Sequence, residues 1–179
     1  MPETPAPAAP PAVIRILGPE DAAAFRALRI EALRRHPEAF GASAEDAETL
    51  DAAAFARMLP RQPPDAIFGG FLGGALAGMA GFFIHRPPKV RHKGAIWGVY
   101  VRAEARGQGM ALRLMQAAIA QARAAGVQRL LLTVGHANAP ARRLYDRLGF
   151  LPYGVERDAL RLPDGRSLDE ELRALDLAG

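Results

Sequence analysis

The feature that most constrains this chain is a corner containing two glycines, which lies between a predicted strand and a predicted helix. The β-favouring residues Val99–Val101 lead through a charged turn into the sequence RGQGMA at 106–111, and good helix formers then run to Ala125. Glycine lets the backbone turn its amides inward, and the first N–H groups of a helix have no intrahelical partner. The corner is therefore predicted to bind an anion such as a phosphate, with Arg106 adding positive charge.

The spacing of the glycines separates three kinds of phosphate-binding corner. A Walker loop ends in Gly-Lys-Ser/Thr, and that tripeptide does not occur in the sequence. A dinucleotide fingerprint that starts at Gly107 and Gly109 would place Leu112 where a small residue is needed, and no carboxylate ends the next predicted strand. The pattern that fits is R-x-x-G-x-[GA], satisfied by Arg106, Gly109 and Ala111.

A second motif follows the corner at a fixed distance. Gly126 ends the helix, Leu130–Val134 is a short apolar strand, and residues 138–150 read N-x-x-A-R-x-L-Y-x-x-L-G-F. Two motifs at this separation are far more specific than either alone. Together they resemble the GNAT superfamily of N-acetyltransferases, and the similarity extends from about Val13 to the end, most strongly after Val90.

The resemblance implies both a fold and a reaction. The fold is a single α/β (α+β) domain with a mixed, mostly antiparallel sheet of about seven strands and about four flanking helices. The strand ending at Val101 would splay from the strand Leu130–Val134, and the cofactor would enter the opening. The reaction is direct transfer of an acetyl group from acetyl-CoA to a primary amine in a ternary complex. The alternative is a GNAT-like module that binds or senses acyl-CoA without turnover.

Acetyl-CoA would be held by the strand, the corner and the second helix. The amides of 108–111 would bind the diphosphate, and an amide near Val99 or Tyr100 is the candidate oxyanion donor. Asn138 fits a helix N-cap and also a cofactor contact, whereas Arg142 would either reach a CoA phosphate or remain solvated. The full predicted set is Val99, Tyr100, Val101, Arg106, Gly107, Gln108, Gly109, Met110, Ala111, Asn138 and Arg142.

Tyr145 is the predicted catalytic residue. A phenol with a pKa near 10 stays protonated at neutral pH and can donate a proton to a departing thiolate, whose acid has a pKa of about 8.5. Ordinary aromatic packing is the alternative, and the family match favours the catalytic role. The general base is left open, because the strand segment AIWG at 95–98 contains no carboxylate. A water chain is one option, and the candidate side chains are Glu31, Glu45, Asp46, His85 and Glu156.

Composition adds mainly exclusions. The chain has 179 residues, a net charge of +4 and no cysteine, so disulfides and thiol nucleophiles are excluded. No basic run is interleaved with aromatic residues, so nucleic acid is not an expected partner. The four histidines lack the paired spacing of a metal site, so no metal is expected. With no apolar run long enough to span a membrane and no signal-peptide pattern, the expected location is the cytoplasm, away from the membrane.

The predicted organisation is a flexible Pro/Ala-rich leader at 1–12 and an acetyltransferase domain at 13–179. The order of elements is strand, helix, helix, three strands, helix, strand, helix and two strands. The helical region from Glu45 to Leu59 has a break near Leu50-Asp51, and the segment 167–177 fits either a strand or a helix. The acceptor, a small molecule or a protein amino group, is not readable from the sequence. The resemblance also allows a homodimer, but no interface can be derived.

Overall fold

A computed structural model describes residues 12–59 and 63–177. The predicted leader lies outside the described residues except for Ala12, so the domain boundary at Val13 stays a prediction. The elements in chain order are β1 (Val13–Ile16), α1 (Ala22–Arg35), α2 (Ala44–Thr49), α3 (Ala52–Met58), β2 (Ala66–Leu72), β3 (Ala75–Ile84), β4 (Lys93–Val101), α4 (Met110–Ala124), β5 (Arg129–Gly135), α5 (Ala139–Arg147), β6 (Leu151–Arg161) and β7 (Ser167–Asp176).

The predicted fold class is confirmed, with two adjustments in the count of elements. The described residues form five α-helices instead of about four, because the helical region before Leu59 is two helices. Asp51 interrupts it by accepting a hydrogen bond from the amide of Ala54 at 2.7 Å, which caps α3 as a new helix. The segment that fitted either a strand or a helix is a strand, β7, paired along its length with β5 and β6.

The sheet has the order β1-β2-β3-β4-β5-β7-β6, and β4–β5 is its one parallel pair among the described strands. That pair is short: it joins Lys93 to Arg129, Gly94 to Leu130 and Ala95 to Leu131. Beyond Ala95, β4 continues to Val101 without a partner on β5 in the described part of the chain. The two strands therefore part in the middle of the sheet, as the resemblance implied.

A β-bulge lies on β4 where it leaves β5. Met79 of β3 faces Tyr100 and Gly81 faces Trp97, so Gly98 and Val99 together oppose the single residue Ala80. Gly98 has φ +64°, a conformation that glycine adopts without strain. A bulge of this kind bends its strand and increases the local twist, which turns the end of β4 away from β5.

Two hydrophobic clusters cover the two faces of the sheet. On one face Phe25 and Leu28 of α1 pack with Phe55 of α3, and on the other Leu114 and Met115 of α4 are fully buried. Neighbouring residues of β2 alternate between the clusters, as the pleat of a strand requires. The site described below lies at the parting of β4 and β5, between these two layers.

Gly81 of β3 provides the seat for the indole of Trp97. A Cβ atom added at Gly81 would overlap the ring of Trp97, whereas one added at Gly154 of β6 would meet only a leucine methyl of Leu172 at 3.5 Å. The side chain of Trp97 can therefore lie across the strand pair only because residue 81 has no side chain.

We expect Gly81→Ala to lower the free energy of unfolding by about 1–3 kcal/mol, because the added methyl must displace Trp97. Urea unfolding measures this loss, and the emission of the chain's single tryptophan should shift with it. Gly154→Ala is the matched control and should change neither measurement appreciably. Equal stability of the two variants would show that Trp97 does not rest on Gly81.

Candidate active site

The parting strands open into a cleft of about 1210 Å³. Its walls include 96–101 of β4 and 132–135 of β5, together with residues of α5. The rim is completed by residues 38–41, in the turn after α1, and by residues 167–170, at the start of β7. The unpartnered edge of β4 thus faces a space large enough for an extended ligand.

The glycine corner lies directly after β4 and leaves its amides free. Gly107 and Gly109 have φ +75° and +74°, and Gly109 is the N-cap of α4 without a side-chain capping bond. Within residues 12–59 and 63–177, no protein oxygen accepts a hydrogen bond from the amides of 107–112, and the first backbone bond at this end is Arg113 N–H to Gly109 O at 3.0 Å. A Cβ added at either glycine would meet nothing within 4 Å. The corner is therefore an open cradle of hydrogen-bond donors at a helix N-terminus, which suits a diphosphate.

Met110 anchors this corner to the sheet. Its side chain is fully buried, and its sulfur lies 2.8 Å from where a Cβ would be at Gly70 and at Gly78. The absence of side chains at these two strand positions lets the first turn of α4 approach the sheet closely. Met110 could therefore contribute only its amide to a ligand, whereas Ala111 lines the cleft.

Arg106 is directed along the end of β4. Its Nε donates to the carbonyl of Val101 at 2.9 Å, its Nη2 lies 3.2 Å from Nε2 of His36, and its guanidinium lies 6.0 Å from the ring centroid of Tyr100. It lines the cleft. Its positive charge is thus held at the wall of the cleft, next to the corner, by contacts with the protein.

Tyr145 lies on the cleft side of α5. The residue is 6% exposed, it lines the cleft, and its ring packs edge-on against Phe150 with the centroids 6.1 Å apart. Burial raises the pKa of Tyr145 to about 12, against a smaller opposing effect of the positive charge of Arg173. Both roles of this residue are therefore compatible with the structure: it packs as a core aromatic, and it lies in the cleft wall with a phenol that stays protonated at neutral pH.

A buried ionic network holds α5 against β7. Arg173 is 2% exposed and donates to Glu171 at 2.9 Å, to Asp146 at 2.6 Å and to the carbonyl of Phe150 at 3.2 Å. Glu171 also pairs with Nε of Arg142 at 2.8 Å. Since Asp146 directly follows Tyr145 and the ring of Phe150 packs against that of Tyr145, these contacts restrict the position of the phenol.

The remaining two predicted cofactor residues differ in position. Asn138 caps α5, with its Oδ1 accepting from the amide of Ala141 at 3.2 Å, and it also lines the cleft. Arg142 is engaged by Glu171 and donates to the carbonyl of His136 at 3.1 Å, and it is not part of the cleft wall. The capping role of Asn138 is confirmed, while contacts of Asn138 and Arg142 with a cofactor stay predictions.

The carboxylates in the cleft are different from those considered at the sequence level. None of Glu31, Glu45, Asp46, His85 or Glu156 lines the cleft, and Glu31 is occupied by the hydroxyl of Tyr100 at 3.0 Å and by Arg102 at 2.9 Å. Glu170 of β7 does line it. Burial raises the pKa of Glu170, and repulsion from Glu156 adds to the shift, while a hydrogen bond with Thr133 partly offsets both. Sequence reasoning missed Glu170 because its place depends on the pairing of β7 with β5, which sets Glu170 opposite Gly135.

The residues that the structure describes include no group of three histidine, aspartate or glutamate side chains placed to hold a metal ion. Among the helices of the same residues, none combines the length and the apolar character needed to cross a membrane.

Comparison with known proteins agrees with this geometry. The sequence model of the Acetyltransferase (GNAT) family matches residues 25–150. The mycothiol acetyltransferase of Thermobispora bispora is 31% identical over 156 residues, which are 85% of this chain and 51% of that protein. The chain spans about half the length of the curated relatives it matches.

Solved structures extend the comparison to almost the whole chain. A GNAT-family acetyltransferase from Streptococcus pneumoniae superposes with a TM-score of 0.83 at 26% identity, covering 93% of this chain and 99% of the other. The yncA protein of Salmonella typhimurium, solved with its cofactor acetyl-CoA, has a TM-score of 0.80 at 24% identity and covers 94% and 95% of the two chains, a likeness of fold. Since the family match covers most of the sequence and includes both motifs, the chain belongs to the acetyltransferase (GNAT) family.

Proposed function

We propose that this protein transfers an acetyl group from acetyl-CoA to a primary amine by direct transfer in a ternary complex. The observation that carries the proposal is the cleft between β4 and β5, which has free helix N-terminal amides beside one end of β4 and a buried, protonated phenol in its wall. Membership in the family supports it. The mycothiol acetyltransferase among the relatives supports a small-molecule acceptor, although a protein amino group has the same reacting atom.

The donor would lie along the edge of β4. The amides of 108–111 would donate to the diphosphate, with Arg106 and Gly107 completing the cradle. The pantetheine arm carries amides, and it would pair with the free backbone groups of Val99–Val101 as an added strand does. Asn138 lines the opposite wall and would contact the arm from α5. This arrangement brings the thioester toward Gly98 and Val99, away from the corner.

The protein would then assist the exchange of one bond for another by stabilising the oxyanion, by protonating the leaving sulfur and by deprotonating the amine. The thioester supplies an acyl carbon whose C–S bond is replaced by a C–N bond to the acceptor. An amide at Val99 or Tyr100 would donate to the carbonyl oxygen as negative charge develops there. Tyr145 would donate its proton to the departing sulfur, and Glu170 would accept a proton from the attacking amine. Burial in the cleft wall disfavours the thiolate of CoA as well as the phenolate of Tyr145. It therefore raises the pKa of the CoA thiol together with that of the phenol.

Diphosphate binding at the corner is tested with Ala111→Glu. A carboxylate in the first turn of α4 is favourable for the helix but repels a bound diphosphate, so folding should be kept while binding is lost. We expect the Kd for CoA, measured by calorimetry, to rise roughly tenfold or more relative to Ala111→Gln, which has nearly the same shape without the charge. Equal affinity of the two variants would place the diphosphate elsewhere.

The role of Tyr145 is tested with Tyr145→Phe. We expect kcat to fall by about 100-fold with the Kd for acetyl-CoA nearly unchanged, because only the proton donor is removed. Since the pKa of Tyr145 is about 12, kcat of the unmodified protein should show no loss from phenol ionisation below about pH 10.

Two outcomes would contradict this assignment. An unaltered kcat in Tyr145→Phe would remove Tyr145 from the mechanism. Binding of acetyl-CoA without release of CoA in the presence of any amine would favour the sensing module over the enzyme.

The role of Glu170 is tested through the pH dependence of kcat/KM. A base works in its ionised form, and burial favours the neutral acid, so activity should fall on the acid side at a pH above the ordinary pKa of a glutamate. Glu170→Gln should lose that acid limb together with about 100-fold in rate.

Glu156→Gln is the matched control for Glu170. Glu156 faces Glu170 across the β6–β7 pair, and its charge contributes to the raised pKa of Glu170. Removing that charge should move the acid limb to lower pH and keep the activity. An acid limb that persists in Glu170→Gln would assign proton acceptance to another group, such as a water chain.

A further inference from the structure

Arg29 of α1 is a cation in the wall of the cleft, and its guanidinium has no hydrogen-bonding or acidic partner among the described residues. Its guanidinium carbon lies 5.0 Å from the ring centroid of Phe40 and 5.6 Å from that of Trp97. Its Nη1 is buried and forms no hydrogen bond with any residue that the structure describes. Among residues 12–59 and 63–177, no carboxylate forms an ion pair with it. Burial lowers the pKa of Arg29, and no neighbouring charge opposes that effect.

An arrangement of this kind is costly unless a ligand completes it. A buried charge without a counterion loses its hydration and gains no hydrogen bonds in return. Arg173 shows how the same fold satisfies a buried arginine outside the cleft wall, because its guanidinium is held by Glu171, Asp146 and a carbonyl. Phe40 and Trp97 lie against the guanidinium of Arg29 but leave its buried Nη1 without an acceptor among the described residues. The missing acceptor is therefore expected from outside the chain.

The position of Arg29 assigns this ligand to the acceptor end of the cleft. A Cβ added at Gly98 would lie 3.3 Å from Nη1 of Arg29, so the guanidinium sits against the bulge of β4. Gly98 lies three residues before Val101, the last residue of β4, and is therefore roughly 10 Å from that end of the strand. The glycine corner follows directly after Val101. The diphosphate would be bound at that corner, and its negative charge is therefore not the counterion of Arg29. Gly98 adjoins Val99, the candidate oxyanion donor, where the acceptor must meet the acyl carbon.

We propose that the acceptor is a small amine that also carries a carboxylate, the class to which free amino acids belong, and that Arg29 binds this carboxylate between Phe40 and Trp97. The planar fork of a guanidinium matches the two oxygens of a carboxylate. The proposal rests on the acetyltransferase function argued above and specifies its substrate class. Arg29 is thereby a specificity-determining residue, and the amine of the same molecule is left free to attack.

The test compares amine acceptors that differ only in the carboxylate. Free amino acids and their carboxamides are presented as two matched panels with acetyl-CoA, and CoA release gives kcat/KM for each member. We expect the acids to exceed the amides by at least about tenfold in the best pair, because the amide leaves the guanidinium without its counterion. A short peptide with an acidic second residue forms a third arm, which separates a free amino acid from a protein amino terminus carrying the same charge.

Arg29→Gln should remove the preference of acid over amide by lowering kcat/KM for the acid to the level of the amide. Arg34→Gln is the matched control, since Arg34 has the same charge on the same helix but pairs with Glu48 at the surface. It should leave the preference unchanged. Thermal unfolding of Arg29→Gln should occur at or above the temperature of the unmodified protein, because the variant loses a partly desolvated charge for which the described residues provide no acidic partner. A large fall in unfolding temperature would instead indicate a purely structural role for Arg29.

The outcomes separate this proposal from the function on which it rests. If CoA is released with amides and acids equally, or if the preference survives in Arg29→Gln, the carboxylate site is wrong and the acetyltransferase function stands. If only the acidic peptide is acetylated, the acceptor is a protein amino group and the proposal of a small amine fails. If no amine of any panel releases CoA, the proposed function itself fails.

Discussion

The short parallel pairing of β4 with β5 is the constraint on which the site depends. Three residue pairs are enough to hold the two halves of the sheet together, and the bulge at Gly98 then turns the end of β4 away. Each strand is still paired on its other side, with β3 and β7 respectively, so the sheet can open without leaving either strand unsupported. The unpaired edge of β4 would be a liability in water, and a ligand that adds a strand of its own would satisfy it.

Arg173, which is buried, and Arg29, whose Nη1 is buried, show what removing a guanidinium from water costs and what that cost can provide. Arg173 is surrounded by acceptors, and the resulting network fixes α5 and with it the phenol of Tyr145. Arg29 lines the cleft, its Nη1 is shielded from water, and no carboxylate of the described residues pairs with it. A site that must recognise a charged group benefits from leaving its own charge unpaired until the ligand arrives, because any internal carboxylate would compete for the same N–H groups.

Local sequence signals predicted most of the fold, and tertiary contacts decided what they could not. The glycine corner and the N-cap Asn138 depend on neighbouring residues, so they could be predicted from short patterns. The strand character of β7 comes from its pairing with β5 and β6, which no local pattern encodes. Local patterns likewise predicted only the residues expected to bind acetyl-CoA. Glu170 and Arg29 reach the cleft from β7 and α1 through tertiary packing, which no local pattern encodes.

Burial acts on the two candidate proton-transfer groups in the same direction, with opposite chemical consequences. It favours the neutral form of Tyr145 and of Glu170, so the pKa of each is raised. For the phenol this ensures that a proton is present to donate at any physiological pH. For the carboxyl it strengthens the base, because a raised pKa brings its proton affinity closer to that of the amine it must deprotonate. Burial in one cleft wall can therefore prepare an acid on α5 and a base on β7, provided that the pKa of the acid starts far above neutrality and that of the base far below it.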